Sequence, residues 1–225
     1  MRADPAAMLR ALPLFLLLAA CEGGTVPLDE APPVDRAVVA PAADAGLPPG
    51  PDHGLDSFDP TCRDDAWDPG ACDDGQGERR ELAGQAHLAV DVPITYADDP
   101  PASGDHRGEW ARWGAYSALP PQRWLHNLEH GGVAFLYHPC ADAADVEALR
   151  AVIRARVAVD PAFRYILTPY ADLPAAVAVV AWEWRYLAPC VQADVMDAFI
   201  DQHYRQAPED IAADGGYAVG FLGPL

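Results

Sequence analysis

The spacing of apolar residues predicts one folded domain between residues 82 and 225. Four stretches have the alternating or continuous apolar character of strands, and 87–96 contains a proline that marks an edge or a bulge. The predicted strands span residues 87–96, 133–138, 164–168 and 175–182. Residues 97–119 are rich in proline, glycine and aromatic residues and are predicted to form an ordered loop.

Three segments instead have helical spacing. Residues 122–130 follow Pro120-Pro121 and precede Gly131-Gly132, which is the expected asymmetry of a short helix. Two longer helices each have one apolar face. The first face comprises Val146, Leu149, Ile153 and Val157, and the second comprises Val191, Val195, Phe199 and Ile200.

The order of these elements predicts an α+β fold. We expect a four-stranded, mainly antiparallel sheet with the two main helices on one face, plus the short helix that bears a histidine motif. The tail after Pro208 is expected to be packed loop.

The N-terminus is typical of an exported lipoprotein. Arg2 and Arg10 accompany an apolar run over residues 12–20, which is too short to span a bilayer. The run ends in Leu18-Ala19-Ala20-Cys21, which resembles the bacterial lipobox, so residues 1–20 are predicted to be a cleaved signal peptide and Cys21 a lipid anchor. An ordinary cleaved signal with a chance cysteine is the alternative. The expected location is the cell envelope, on the extracytoplasmic side of a membrane.

Two polar segments separate the signal from the domain. Residues 21–60 consist largely of Pro, Ala, Gly and Asp and are predicted to be a flexible tether, because they cannot bury enough apolar surface to offset the entropy of ordering. Residues 61–81 are dense in aspartate around Cys62 and Cys72 and are predicted to form an acidic loop held by a disulfide.

Composition excludes some functions. The chain carries a formal net charge of -19 and its basic residues are all arginine. Such a surface repels nucleic acid and attracts cations, so no nucleic-acid partner is expected. The lack of lysine excludes Schiff-base chemistry and lysine general bases.

Four cysteines follow Cys21, and an even number in an exported chain favours disulfides. Of the three ways to pair them, we expect Cys62 with Cys72 in a local loop and Cys140 with Cys190 across the domain. A four-cysteine zinc site is disfavoured because neither pair has CxxC-type spacing.

Candidate chemistry concentrates in three histidines. His126 and His130 lie one helical turn apart and share a face, Glu129 is adjacent, and His106 lies in the preceding loop. Imidazoles suit Zn²⁺ or Cu²⁺, so we predict a metal site formed by His106, His126, His130 and Glu129. His138 is interpreted as a strand-end residue, and His53, His87 and His203 are interpreted as incidental.

Two alternatives remain open. Residues 126–130 fit the H-x-x-E-H form of some zinc peptidases, in which case Glu129 is the general base of a metal-dependent hydrolase. The other alternative is a protein-interaction module, in which the histidines only meet the negative end of the helix dipole and rigidify a loop. The protein partner, if there is one, is not indicated by the sequence.

Several motifs resemble a bacterial exported family, number thirty-one-oh-five in the domain-of-unknown-function series. The resemblance rests on residues 94–96, 99–106, 114–116 and 126–133 and covers about residues 82–210, with Ala102 and Asp105 departing from the expected Thr and Pro. It implies an extracytoplasmic domain, often tethered to a membrane, and locates a site at His106, His126, Glu129 and His130. It implies no reaction.

Overall fold

The computed structural model describes residues 60–63 and 67–225. The predicted signal peptide (1–20), Cys21 and all of the predicted tether except residue 60 lie outside these residues. Among the helices of the described part, none is both long enough and apolar enough to cross a membrane.

The described residues form three helices and nine strands. The helices are α1 (Pro121–Glu129), α2 (Ala143–Val159) and α3 (Ala193–His203). The strands are β1 (Gln76–Arg79), β2 (His87–Leu88), β3 (His106–Arg107), β4 (Gly114–Tyr116), β5 (Val133–Tyr137), β6 (Tyr165–Pro169), β7 (Val177–Ala181), β8 (Trp184–Ala188) and β9 (Phe221–Gly223).

Seven of these strands form one mixed sheet in the order β1-β8-β7-β5-β6-β4-β9. Strand β5 lies at its centre, parallel to β6 and antiparallel to β7. Strands β2 and β3 form a separate parallel pair. The predicted α+β class is confirmed, whereas the predicted four-stranded, mainly antiparallel sheet is wrong.

The added strands come from pairings between distant parts of the chain. Strand β1 lies in the segment expected to be acidic loop and pairs with β8, and β9 lies in the tail expected to be loop and pairs with β4. Strands of two to four residues are too short to show a period in the sequence. Strand β8 was also not predicted: it follows the predicted strand 175–182 directly and forms a hairpin with β7, which turns at Glu183 with a φ of 62°.

Both faces of the sheet are covered. Alternate residues of the central strand point to opposite sides, as a pleated strand requires. Phe135 packs with Ile153 of α2 and Phe199 of α3 in one core cluster. Leu136 packs in a second cluster with Trp124 of α1. The two main helices therefore share one face, as predicted, and α1 lies on the other.

Two disulfides join the N-terminal part of the described chain to the domain. They link Cys62 to Cys140 and Cys72 to Cys190. The expected pairs, Cys62–Cys72 and Cys140–Cys190, are wrong. Because β1 and β8 run antiparallel with Gln76 opposite Leu187, residues just before β1 lie beside residues just after β8, and this brings Cys72 to Cys190. The disulfides indicate an oxidising, extracytoplasmic compartment.

Candidate metal centre

The short helix α1 is the base of the candidate site. Pro121 stands at its first turn, where the missing N–H is not needed, and Gly131 follows its end with a φ of 81°, a conformation that favours glycine. All nine residues of α1 are buried. A wholly buried helix with histidine, asparagine, arginine and glutamate side chains must find polar partners for them inside the protein.

Those partners lie on the loop between β3 and β4. The side-chain amide of Asn127 donates to the carbonyl of Ala111 (2.8 Å) and accepts from its N–H (3.0 Å). The guanidinium of Arg123 donates to the carbonyl of Glu109 (3.0 Å). These contacts fix the loop, and with it β3, against the helix.

Strand pairing adds a histidine that the sequence did not indicate. In the parallel pair of β2 and β3, His87 stands opposite His106. Side chains in register on neighbouring strands emerge on the same side, and the centroids of these two imidazoles are 4.9 Å apart. The His87 ring also stacks on that of His126, with centroids 4.4 Å apart.

Backbone carbonyls determine which ring nitrogens are available. The Nδ1–H of His106 donates to the carbonyl of Gly104 (2.8 Å), and the Nδ1–H of His126 donates to that of Arg107 (2.7 Å). A carbonyl only accepts, so in each neutral ring the hydrogen is on Nδ1 and the lone pair on Nε2. Metal-binding histidines are typically held in this way, with the other nitrogen donating to a carbonyl or carboxylate.

Two imidazole nitrogens lie close to one carboxylate oxygen. Nε2 of His106 lies 3.1 Å from Oε2 of Glu129, and Nε2 of His87 lies 3.5 Å from the same oxygen. One ligand atom from each of His87, His106, His126 and Glu129 lies within 4.8 Å of all the others. Zinc bound tetrahedrally at 2.0–2.1 Å separates its ligand atoms by roughly 3.3 Å. The cluster can therefore hold a metal ion after small side-chain movements.

Burial favours the neutral form of the imidazole, which is the form that binds a metal. His106 is fully buried and His126 nearly so. Loss of solvent lowers the pKa of His106 to about 4 and that of His126 to about 3. It also raises the pKa of the Glu129 carboxyl. His87 is the exposed member, with about half of its side chain (51%) accessible.

His130 lies next to this group and outside it. Its Nε2 is 3.1 Å from Nε2 of His126 and 3.0 Å from Oε2 of Glu209. Its ring packs against Trp110, with centroids 4.5 Å apart. The structure thus brings together His106, His126 and Glu129 as predicted, replaces His130 by His87, and places His130 at the edge.

The other histidines in the described residues lie elsewhere. His138 stacks on Trp67, and His203 stacks on Trp184. Glu209 is a further residue that sequence analysis missed. It follows Pro208 in the tail and has no local pattern around it, so only the folded chain shows its position. The same holds for His87, since a two-residue strand has no readable period.

Comparison with known proteins adds a family. A family model described as "Protein of unknown function (DUF3105)" matches residues 87–216, more than half of the chain. The match starts at His87 and includes the other three members of the cluster as well as His130 and Glu209. The comparison with curated proteins finds no match, and neither does the comparison with solved structures.

Proposed function

This chain belongs to the DUF3105 family, whose description names no activity, and we propose a function from the site itself. The proposed function is the binding of one transition-metal ion by His87, His106, His126 and Glu129. Three imidazole nitrogens and one carboxylate oxygen suit Zn²⁺ or Cu²⁺. The domain would act as an extracytoplasmic metal-binding module.

One observation carries the proposal. The buried Nε2 of His106 has no hydrogen-bond partner among the described residues, although Oε2 of Glu129 is 3.1 Å away. Because Nδ1 holds the ring hydrogen, a lone pair faces a carboxylate oxygen. Two buried acceptors at this distance repel each other unless a cation or a proton lies between them. A metal ion bound to both atoms removes the repulsion.

Elemental analysis tests the proposal directly. The purified protein, stripped with chelator and reloaded with Zn²⁺ or Cu²⁺, should retain about one equivalent after gel filtration, as a single four-ligand site requires. His106→Gln and His126→Gln should lose the metal, whereas His203→Gln, a histidine packed outside the cluster, should keep it. Retention of less than a tenth of an equivalent by the unmodified protein would defeat the proposal and favour the interaction module.

A metal-dependent hydrolase with Glu129 as general base is the second candidate. It is favoured by the exposure of His87, which leaves one side of the cluster open to solvent, and by the raised pKa of Glu129, the direction expected for a general base that works near neutral pH. Glu129→Gln separates the two functions. If Glu129 is a base, the variant keeps its metal and loses hydrolysis of an activated ester. If Glu129 is a ligand, the variant loses metal affinity.

Anchoring to the membrane is a further part of the proposed function. Cys21 follows a lipobox-like sequence, and the disulfides indicate an extracytoplasmic location. We propose that Cys21 carries the lipid that holds the domain to the membrane. No nucleic-acid partner is proposed, because a chain with a net charge of -19 repels polyanions.

A further inference from the structure

Three polar side chains form a continuous file that leads away from the cluster: His126, His130 and Glu209. Consecutive nitrogen and oxygen atoms are about one ligand spacing apart: 3.1 Å from Nε2 of His126 to Nε2 of His130, and 3.0 Å from there to Oε2 of Glu209. His130 is almost fully buried, whereas about half of the Glu209 side chain (48%) is accessible to solvent. The file therefore runs from the buried His126 to the surface.

Nε2 of His130 lies between two groups that can each accept a hydrogen bond or bind a cation. Nε2 of His126 has a lone pair, because Nδ1 holds its hydrogen, and an ionised Glu209 only accepts. The buried Nδ1 of His130 has no partner among the described residues in either tautomer, so the contacts at Nε2 decide between them. If the hydrogen is on Nδ1, the Nε2 lone pair faces two other acceptors. A cation at Nε2 of His130 would satisfy those facing acceptors.

Glu209 is held in place by the backbone around it. The N–H of Glu209 donates to the carbonyl of Glu129 (3.1 Å), and the N–H of Ile211 donates to that of His130 (3.3 Å). The guanidinium of Arg164 donates to the same His130 carbonyl (2.8 Å). The tail thus satisfies carbonyls that the end of α1 leaves free, and this contact sets Glu209 beside His130.

We infer that Glu209 and His130 form an access arm, which passes a divalent transition-metal ion between solvent and His126, the buried member of the cluster that His130 contacts. The inference rests on the proposed metal binding. The ion would move from Glu209 and His130, to His130 and His126, and then into the cluster of His87, His106, His126 and Glu129. It would keep at least two protein ligands at each step, which avoids the cost of a bare ion in a desolvated site.

An access arm predicts a specific kinetic signature. A group that only speeds passage changes the association and dissociation rates by the same factor and leaves the equilibrium constant unchanged. A final ligand instead changes the dissociation constant. An exposed carboxylate that merely attracts cations changes mainly the association rate, in a way that depends on ionic strength.

Stopped-flow fluorescence with Cu²⁺ measures these rates, because Trp110 packs against both His126 and His130 and paramagnetic Cu²⁺ quenches nearby indoles. Release is measured by adding excess chelator. For Glu209→Gln and His130→Gln we expect both rates to fall by about tenfold, which is ~1.4 kcal/mol on the barrier, with a dissociation constant within about twofold of that of the unmodified protein.

Glu109→Gln is the matched control, because it removes the same charge from a half-exposed glutamate that contacts Arg123 instead of a histidine. Unchanged rates in Glu209→Gln would overturn the inference, as would a fall in the association rate alone or an equal effect in Glu109→Gln. Failure of the unmodified protein to bind Cu²⁺ or Zn²⁺ would instead overturn the proposed function, so the two failures are distinguishable.

Discussion

Nε2 of His106 lies 3.1 Å from Oε2 of Glu129, inside the protein, and the hydrogen of the neutral imidazole is on the other ring nitrogen. The helix α1 supplies the carboxylate, and the two-stranded pair of β2 and β3 supplies the imidazole. Glu129 also lies 3.5 Å from His87, which β2 holds opposite His106. The Glu129 carboxylate therefore connects the helix to the strand pair. Because its neighbours are imidazole nitrogens, the site suits a transition-metal ion.

The first prediction concerns the ligands. His106→Gln should weaken Zn²⁺ binding by more than about 100-fold, because loss of a direct ligand should exceed the 10–100-fold cost of losing an outer hydrogen-bond partner. Competition with a chelator of known affinity measures the change.

His203→Gln is the control, since that ring stacks on Trp184, packs at an angle against Phe199 and lies outside the cluster. His87→Gln should weaken binding less than His106→Gln, because the exposed His87 position is open to a water molecule that can replace the lost ligand. Equal affinities for His106→Gln and the control would show that His106 is not a ligand.

The second prediction is that the buried histidines make the metal-free fold labile to mild acid. The pKa of His106 is lowered to about 4 in the folded protein, while an unfolded histidine titrates near 6.5. Between these values the unfolded state binds the extra proton, so stability falls as the pH falls. Above about pH 6.5 both states are neutral and this effect vanishes.

Urea unfolding of the metal-free protein at pH 6.5 and 5.5 tests this. This range lies above the titration of ordinary carboxylates. His106→Gln should reduce the pH dependence of the unfolding free energy by about 1 kcal/mol per pH unit. Glu129, whose pKa is raised, acts in the opposite direction, so the difference between the two proteins is the informative quantity. An identical slope would mean that His106 titrates normally in the fold.

The third prediction concerns the disulfides. Peptide mapping without reduction should find Cys62 joined to Cys140 and Cys72 joined to Cys190. Replacing both Cys72 and Cys190 by alanine should lower the unfolding free energy by about 4–5 kcal/mol, according to the chain-entropy relation for a loop of this length. Linkage of Cys62 to Cys72 would contradict the structure.

The fourth prediction concerns Cys21, which lies outside the described residues. Mass spectrometry of the mature protein should find acyl chains on this cysteine, and at least two chains are needed for stable anchoring. Cys21→Ser should release the protein from the membrane fraction, whereas Cys72→Ser should not. An unmodified Cys21 in the mature protein would refute lipid anchoring.

Local patterns predicted the elements whose partners are near in sequence. The short helix was expected at 122–130 and spans Pro121–Glu129, because a proline and a glycine bound it. The two long helices were predicted from their apolar faces. His126 and Glu129 could be placed together because both lie on one helix.

Contacts between distant segments could not be predicted in this way. His87 joins the site through pairing with a residue in another strand, and both strands contain only two residues. The pairing of Cys72 with Cys190 depends on the register of β1 and β8, which are separated by about a hundred residues of chain. Local apolar spacing contains no information about such registers.

The link from Cys62 to Cys140 has a mechanical consequence. Cys140 follows shortly after β5, the middle strand of the seven-stranded sheet, and Cys62 lies near the first described residue. A force that pulls on the chain from its N-terminal side would reach the central strand through a covalent bond before it loaded the hydrogen bonds of the edge strand β1. A pull from that end would therefore not begin by peeling β1 from the sheet.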